Sequence, residues 1–276
     1  MSTVTTADIS KLRKLTGAGL MDCKKALEET DNDIEKAIDV IRKRGKAIAN
    51  KRSDREAGEG VVIAKTSADQ KFVAMISLNC ETDFVAKNEN FIAIAKTILD
   101  IAVENKPKTI EELKALPMNG TTVSEAIDES VAAVGERVEL KYYDTINAEY
   151  TIAYIHAGNR LSTMVGFNKS ISDIQVAKDV AMQAAAMNPV AVDKDNVSPD
   201  IIERELEIGR DQARQEGKPE AMIEKIALGK LNKFYSESTL VNQSFIKDSK
   251  ISVKDYLQSV DKDLKVVDFK RYSLTV

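Results

Sequence analysis

The sequence predicts an α+β protein: a small helical module, then a core of two related sheet-plus-helix subdomains, then a protruding antiparallel helical hairpin. Two observations carry this. Apolar residues recur at helical spacing over 6–44 and again over 199–236, with charge on the remaining faces. Between them, the strand-like stretches VVIAKTSADQKFVAMISLN (61–79) and YTIAYIHAGNRLSTMVGFN (150–168) repeat each other at a constant offset of 89, and a helix-like run follows each.

At 276 residues the chain has room for more than one core, and its 43% hydrophobic and 30% charged content is that of a globular protein, neither disordered nor membranous. A net charge of -4 exerts no overall pull toward nucleic acid. The start, MSTVTTADIS, lacks the basic and apolar blocks of a signal peptide. The longest charge-free apolar stretch, VAMQAAAMNPVAV, is too short to cross a bilayer. Cys23 and Cys80 stand far apart in apolar surroundings and read as free thiols, so a cytoplasmic location is expected.

Taken in order, Ile9, Leu12 and Leu15 predict one face of a first helix, which TGAG breaks. LMDCKKALEE makes a second. Asn32 or Asp33 caps a third carrying Ile34, Ile38 and Ile41, with Gly45 as its end. These three helices form a module over 1–45. The basic, then Gly-rich stretch 46–59 follows, which reads either as a continuation of the third helix or as a linker and is assigned as the linker. Its cationic run, which begins at Arg42, reads either as a solvated tether or as a phosphate-contacting arm.

The repeat divides the core into a first subdomain over 60–147 and a second over 148–198 and 239–276. Each copy reads as strand, tight turn at ADQ or AGN, strand, then helix. The helices align through Ala95-Lys96 and Ala177-Lys178, where the offset falls to 82. The first copy therefore carries seven extra residues between Asn79 and Ile92, in NCETDFVAKNENF. The shorter KSISD connection closes the second copy, so the added loop exceeds what folding requires, and such loops tend to carry function. Its Phe84 and Val85 either fold back onto the sheet as core or offer a ring to a partner's pocket. TIEELKALP and TVSEAIDESVAAVG predict helices between the halves, and RVELKYYDTI a strand. In 199–238, Ile202, Leu206, Gly209 and Ala213 form one stripe. Ile223, Ala227 and Phe234 form another, broken by Lys230, and Gly217 with Pro219 divides the two helices. A short helix at ISVKDYLQSV and a strand at LKVVDFKRYSLTV finish the second subdomain.

Catalytic patterns are missing. His156 is the one histidine, in the predicted turn IHAGNR, and reads as a turn or surface residue. There is no CxxC, no phosphate-binding G-x-x-x-x-G-K-[ST] and no G-x-G-x-x-G. Carboxylate pairs such as Glu81 with Asp83 carry no weight among 44 acidic residues. No catalytic residue, metal site or cofactor is assigned.

The motifs KLRKLTGAGLMDCKKAL, CETDFVAKNENF and YIHAGNR, in this order along nearly the whole chain, closely resemble the elongation factor Ts family of bacterial translation. The resemblance implies a guanine-nucleotide exchange factor that binds GDP-bound elongation factor Tu and has no chemistry, cofactor or tightly bound nucleotide of its own. It implies a ubiquitin-associated (UBA)-like fold for the N-terminal module and a coiled coil for the hairpin. It assigns Thr82, Asp83, Phe84 and Val85 to the segment that wedges into the partner and dislodges its Mg²⁺. Leu12 and Met21 of the first module and His156 become secondary partner contacts. The resemblance makes 46–59 a linker rather than a nucleic-acid arm; an RNA or ribosome binder acting through 42–55 is the rival reading. Many members continue past the last strand with GEGIEK-like residues, and a contact made there is not expected here.

Overall fold

The computed structural model describes residues 3–274. Met1 and Ser2 of the leader reading and Thr275 and Val276 of the final-strand expectation lie outside the described residues. The architecture is mixed helix and antiparallel sheet, as expected.

Three helices open the chain: α1 (Thr6–Thr16), α2 (Leu20–Glu29) and α3 (Ile34–Lys51). Thr5 and Asp8 form a reciprocal capping box at α1, and Gly17, at φ +67°, ends it in the left-handed region. Asp33, not Asn32, caps α3, accepting from the Lys36 amide at 3.1 Å. Leu12, Cys23, Ala26, Leu27 and Ala37 are fully buried between the helices. Leu15, expected on the same face, is 60% exposed. At helical spacing it lies roughly 120° around the axis from Ile9, off the face that α2 and α3 cover.

Gly45 does not end the third helix. It is buried inside α3, which runs six residues further to Lys51. A glycine inside a helix costs about 1 kcal/mol relative to alanine, and here it permits a close approach by a later helix, described below.

The first half of the core comprises β1 (Glu59–Thr66), β2 (Phe72–Cys80), the one-turn α4 (Asp83–Ala86), α5 (Glu89–Asn105), α6 (Ile110–Ala115), the paired short strands β3 (Pro117–Met118) and β4 (Thr121–Thr122), α7 (Val123–Val134) and β5 (Val138–Asn147). Its sheet has the order β1-β2-β5. The second half has β6 (Tyr150–Ile155), β7 (Leu161–Phe167), α8 (Ile174–Met187), α9 (Pro199–Gln215), α10 (Glu220–Ser238), the short pair β8 (Ser244–Phe245) and β9 (Asp248–Ser252), α11 (Val253–Val260) and β10 (Val266–Ser273). Its sheet has the order β10-β7-β6.

The sequence repeat is a repeat of register. Ile63 faces Ile76, and 89 residues on Ile152 faces Val165. The turn residues Gln70 and Asn159, also 89 apart, both adopt positive φ. Each third strand slips by one residue at the equivalent place: opposite Ser77/Leu78 in one sheet and opposite Gly166/Phe167 in the other. Alternation along the strands then sends one face of each sheet to its own helices. The other faces meet in a buried seam of Val62, Ala64, Val73, Met75, Ile146 and Met164. Across the seam the Val62 amide donates to the Asn159 carbonyl at 2.7 Å, and the Ser162 hydroxyl to the Val62 carbonyl at 2.7 Å. The added loop holds α4, which has no counterpart in the second copy.

Gly45 of α3 packs on α7, against Asp128 and Ala132. Helices α9 and α10 pack on one another through Gly209, Ala213, Ile223, Ala227 and Leu231, with Gly217 at φ +70° in the turn between them. Lys230, the break in the apolar stripe, sends its ammonium to Gln212 of the facing helix at 2.7 Å and to Glu216, its C-terminal cap, at 3.2 Å. Among the described residues no helix is long and apolar enough to cross a membrane.

Candidate functional site

The loop after β2 begins from a buried anchor. The Asn79 side chain takes the Ser77 hydroxyl hydrogen bond at 2.6 Å and donates to the Ala57 carbonyl at 3.0 Å. Cys80 follows, fully buried, with its thiol on the Thr82 carbonyl at 3.2 Å. Burial, reinforced by the Glu136 charge, pushes this thiol up to about 12.

Thr82 caps α4, though its hydroxyl is a long 3.4 Å from the Val85 amide it accepts from. Val85 packs partly against the first core and Ala86 is buried, which pins one side of the helical turn. Asp83 pairs with Lys87 at 2.6 Å along the outer side, and that hydrogen bond holds its carboxyl below the usual range. Phe84, between them, is 83% exposed. Of the two possibilities for its ring, the structure has the exposed one. Almost the whole ring stands in solvent on a backbone that is tied down on both sides.

Two carboxylates tie it. Glu136, between α7 and β5, accepts from the Thr82 amide at 3.0 Å and from the Thr82 hydroxyl at 2.7 Å. Glu81 accepts from the Arg137 amide at 2.7 Å and from the Arg52 guanidinium at 2.8 and 2.9 Å, with Arg55 at 3.6 Å. Burial works to raise the Glu81 pKa, and these donors outweigh it, leaving the carboxyl below its ordinary value. Arg52 is the C-terminal cap of α3, so Glu81 also joins the first module to the loop. Sequence reasoning missed both acids. Their partners lie 26 to 56 residues away, and the Thr82-Asp83 pair, a cap followed by a first-turn acid, was the one local signal available.

The β6–β7 turn comes to the same end of the molecule. Arg160 forms an ion pair with Glu59, whose register partner across β1–β2 is Cys80. That hydrogen bond chiefly raises the Arg160 pKa, and the nearby Asp83 charge adds to it. His156 sits in this turn, exposed, with its Nδ1 3.0 Å from the Tyr154 hydroxyl. Met21 is 58% exposed at the start of α2. Leu12 does not belong with them: it is fully buried in the three-helix core, where no partner can touch it without unfolding the module. Among the described residues of that module, the exposed large apolar side chains are Leu15, Leu20 and Met21.

The arginines of the basic segment are paired within the chain. Arg42 pairs with Glu129 at 2.7 Å, Arg44 with Glu29 at 2.5 Å, and Arg52 and Arg55 with Glu81. Among the described residues no three His, Cys, Asp or Glu side chains converge to hold a metal ion. A groove of about 780 Å³, touching Leu15, Ile38, Phe91 and Met118, runs between the first module and the core and does not include Phe84.

The family model described as Elongation factor TS matches residues 81–275. Among curated proteins, the Elongation factor Ts of Azobacteroides pseudotrichonymphae is 49% identical over 273 residues, covering 99% of both chains. That of Porphyromonas gingivalis is 51% identical over 273 residues, 98% of both chains. That of Flavobacterium psychrophilum is 46% identical over 275 residues, 99% of this chain and 100% of the other.

Proposed function

This chain belongs to the elongation factor Ts family, and we propose that it is a guanine-nucleotide exchange factor that binds elongation factor Tu·GDP and speeds GDP release. The observation that carries the reading is the exposed Phe84 on a backbone pinned by Val85, Ala86 and two carboxylates. A free aromatic ring costs solvation and gives the isolated chain little packing in return. A pocket on a partner accounts for it.

In this reading Thr82, Asp83, Phe84 and Val85 form the wedge. GDP is held by phosphate-loop amides, a lysine and a Mg²⁺ bridging phosphate oxygens. A rigid ring driven between the elements that carry these groups shifts them and dislodges the metal, with no acid, base or nucleophile of the factor's own. The chain is therefore no enzyme in the bond-making sense, and it needs no cofactor. The coupling is reciprocal: whatever the factor subtracts from GDP affinity, GDP subtracts from the factor's, which lets the factor leave again. Met21 and His156 are secondary contacts. Residues 1–45 are read as a UBA-like module, 46–59 as the link to it, 60–147 and 148–198 with 239–276 as the two core subdomains, and 199–238 as a coiled-coil hairpin. The setting is the cytoplasm. Nucleic-acid binding through 42–55 is disfavoured by the carboxylates already seated on four of its arginines.

The test is release of labelled GDP from the cognate elongation factor Tu, with and without this protein. Acceleration by the wild type and its loss in Phe84→Ala are expected. Truncating a ring in a partner pocket costs about 2–4 kcal/mol, on the order of 30- to 1,000-fold. Wild-type acceleration by Phe84→Ala would remove the wedge assignment.

A further inference from the structure

The two acids beside the wedge are arranged as a crossed clamp. In the dipeptide Glu81-Thr82 the acid accepts the amide of Arg137, and in the dipeptide Glu136-Arg137 the acid accepts the amide of Thr82, at 2.7 and 3.0 Å. The two backbones are thereby locked side by side, 54 residues apart in sequence, at the point where α4 begins. We infer that Glu136 is the positioning residue of the exchange reaction: it holds Thr82 so that α4 starts there and presents Phe84 at a fixed angle. This deepens the function proposed above and rests on it.

Three observations support the assignment. First, the Thr82 hydroxyl can cap α4 properly only if its O–H points elsewhere, and it donates that hydrogen bond to Glu136 at 2.7 Å. The cap bond itself is long, so the carboxylate, not the cap, defines where Thr82 sits. Second, Glu136 stands on firm ground. It follows Gly135, which ends α7 at φ +72°, and precedes the β5 strand paired to β2. Third, the like charge of Glu81 next door is balanced. Arg52 and Arg55 lie on Glu81, and the Arg137 guanidinium spans Glu139 and the carbonyls of Ser53 and Arg55. The Glu81 charge beside the clamp is therefore offset by cations of this chain. Thr82's two donors sit on different oxygens of Glu136, so a glutamine that keeps this geometry sets an NH₂ against one of them.

A wedge transmits force only if its backbone does not yield, so loosening Thr82 should lower the maximal rate more than the affinity. Misplacement of a working group by about 1 Å can cost up to a hundredfold. The experiment uses the full chain and release of labelled GDP from elongation factor Tu at varied factor concentration. Wild type, Glu136→Gln, Thr82→Val, Thr82→Ser, the Glu136→Gln/Thr82→Val double variant and Phe84→Ala are compared, each with a thermal unfolding curve and amide hydrogen exchange. Glu136→Gln and Thr82→Val should each lower the maximal release rate about tenfold, with a smaller change in the half-saturating concentration. The double variant should be no worse than the poorer single one, because both break the same link. Thr82→Ser keeps the hydroxyl and should retain more of the maximal rate than Thr82→Val. Exchange protection should fall at 82–86 in Glu136→Gln and persist in β2. Wild-type kinetics in Glu136→Gln, or losses in the double variant that simply multiply, would overturn the positioning role, provided Phe84→Ala is defective. If Phe84→Ala also keeps wild-type kinetics, the exchange reading fails instead. Should Glu136→Gln unfold, Thr82→Val against Thr82→Ser decides the same point.

Discussion

A Cβ placed on Gly45 would lie 3.0 Å from the Ala132 Cβ and 2.8 Å from the Asp128 carbonyl oxygen. The first module is thus joined to the core by a helix-on-helix contact in which one partner has no side chain at the crossing. Helix propensity alone favours alanine over glycine by about 1 kcal/mol. Here a backbone oxygen, which cannot rotate aside, stands in the way. Gly45→Ala is expected to destabilise the protein by about 1–3 kcal/mol, read as a lower urea midpoint. A raised midpoint would mean that α3 and α7 separate at little cost.

Glu81 sets an acid limit. Its side chain is 13% exposed, and its folded pKa lies below the ordinary value despite burial, because the Arg137 amide, Arg52 and Arg55 favour the charged form. A depressed carboxyl contributes stability that is present above its unfolded pKa, about 4.3, and is lost as pH falls through the folded value. Glu81→Gln should cost about 1–3 kcal/mol at pH 7. The gap from wild type should narrow between pH 6 and pH 3. Parallel stability curves across that range would show that the carboxylate's charge is not what matters.

Cys80 should be silent toward thiol reagents. With its pKa pushed up to about 12, and with burial raising Cys23 as well, neither thiol ionises near pH 8 in the folded chain. Ellman titration at pH 8 is expected to find no rapidly reacting thiol in the native protein and two after denaturation. The linkage has the corresponding sign. The unfolded thiol ionises above about pH 8.5 while the folded one keeps its proton, so the Cys80 contribution is full below that pH and declines above it. Rapid native labelling of Cys80 would show that the β2 end opens freely.

Gly209 plays the same part between α9 and α10 as Gly45 does between α3 and α7. A Cβ there meets the Ala227 Cα at 3.1 Å. The apolar residues between these two helices belong to none of the other buried clusters among the described residues. Gly209→Leu should therefore raise hydrogen exchange across 199–238 and leave β2 and β7 protected. Loss of protection in the sheets would show that the two helices are integral to the core.

Some missed features had local signals. The β3–β4 pair turns at Asn119-Gly120, both at positive φ, a dipeptide that is itself a hairpin signal. The continuation of α3 past Gly45, one of the two readings open for that stretch, was favoured by the lysines and alanines of KAIANK once the glycine is treated as a packing device and not as a stop. Leu12 shows the opposite error. Its motif was read as a contact, while its spacing with Ile9 already placed it on the buried face.

By itself the sequence determined what local physics decides: where helical and alternating periods lie, where turns need positive φ, and how the repeat pairs. A register follows from alternation and turn length over a few residues, so the offset of 89 carried through to the facing pairs Ile63–Ile76 and Ile152–Val165. Tertiary structure alone decided whether Phe84 was core or surface, which helix Gly45 would meet, and what held Thr82. Those outcomes depend on chain segments dozens of residues apart arriving at one place. A carboxylate such as Glu136 becomes informative only when the fold sets its oxygens beside two particular donors, and until then it is one acid among 44.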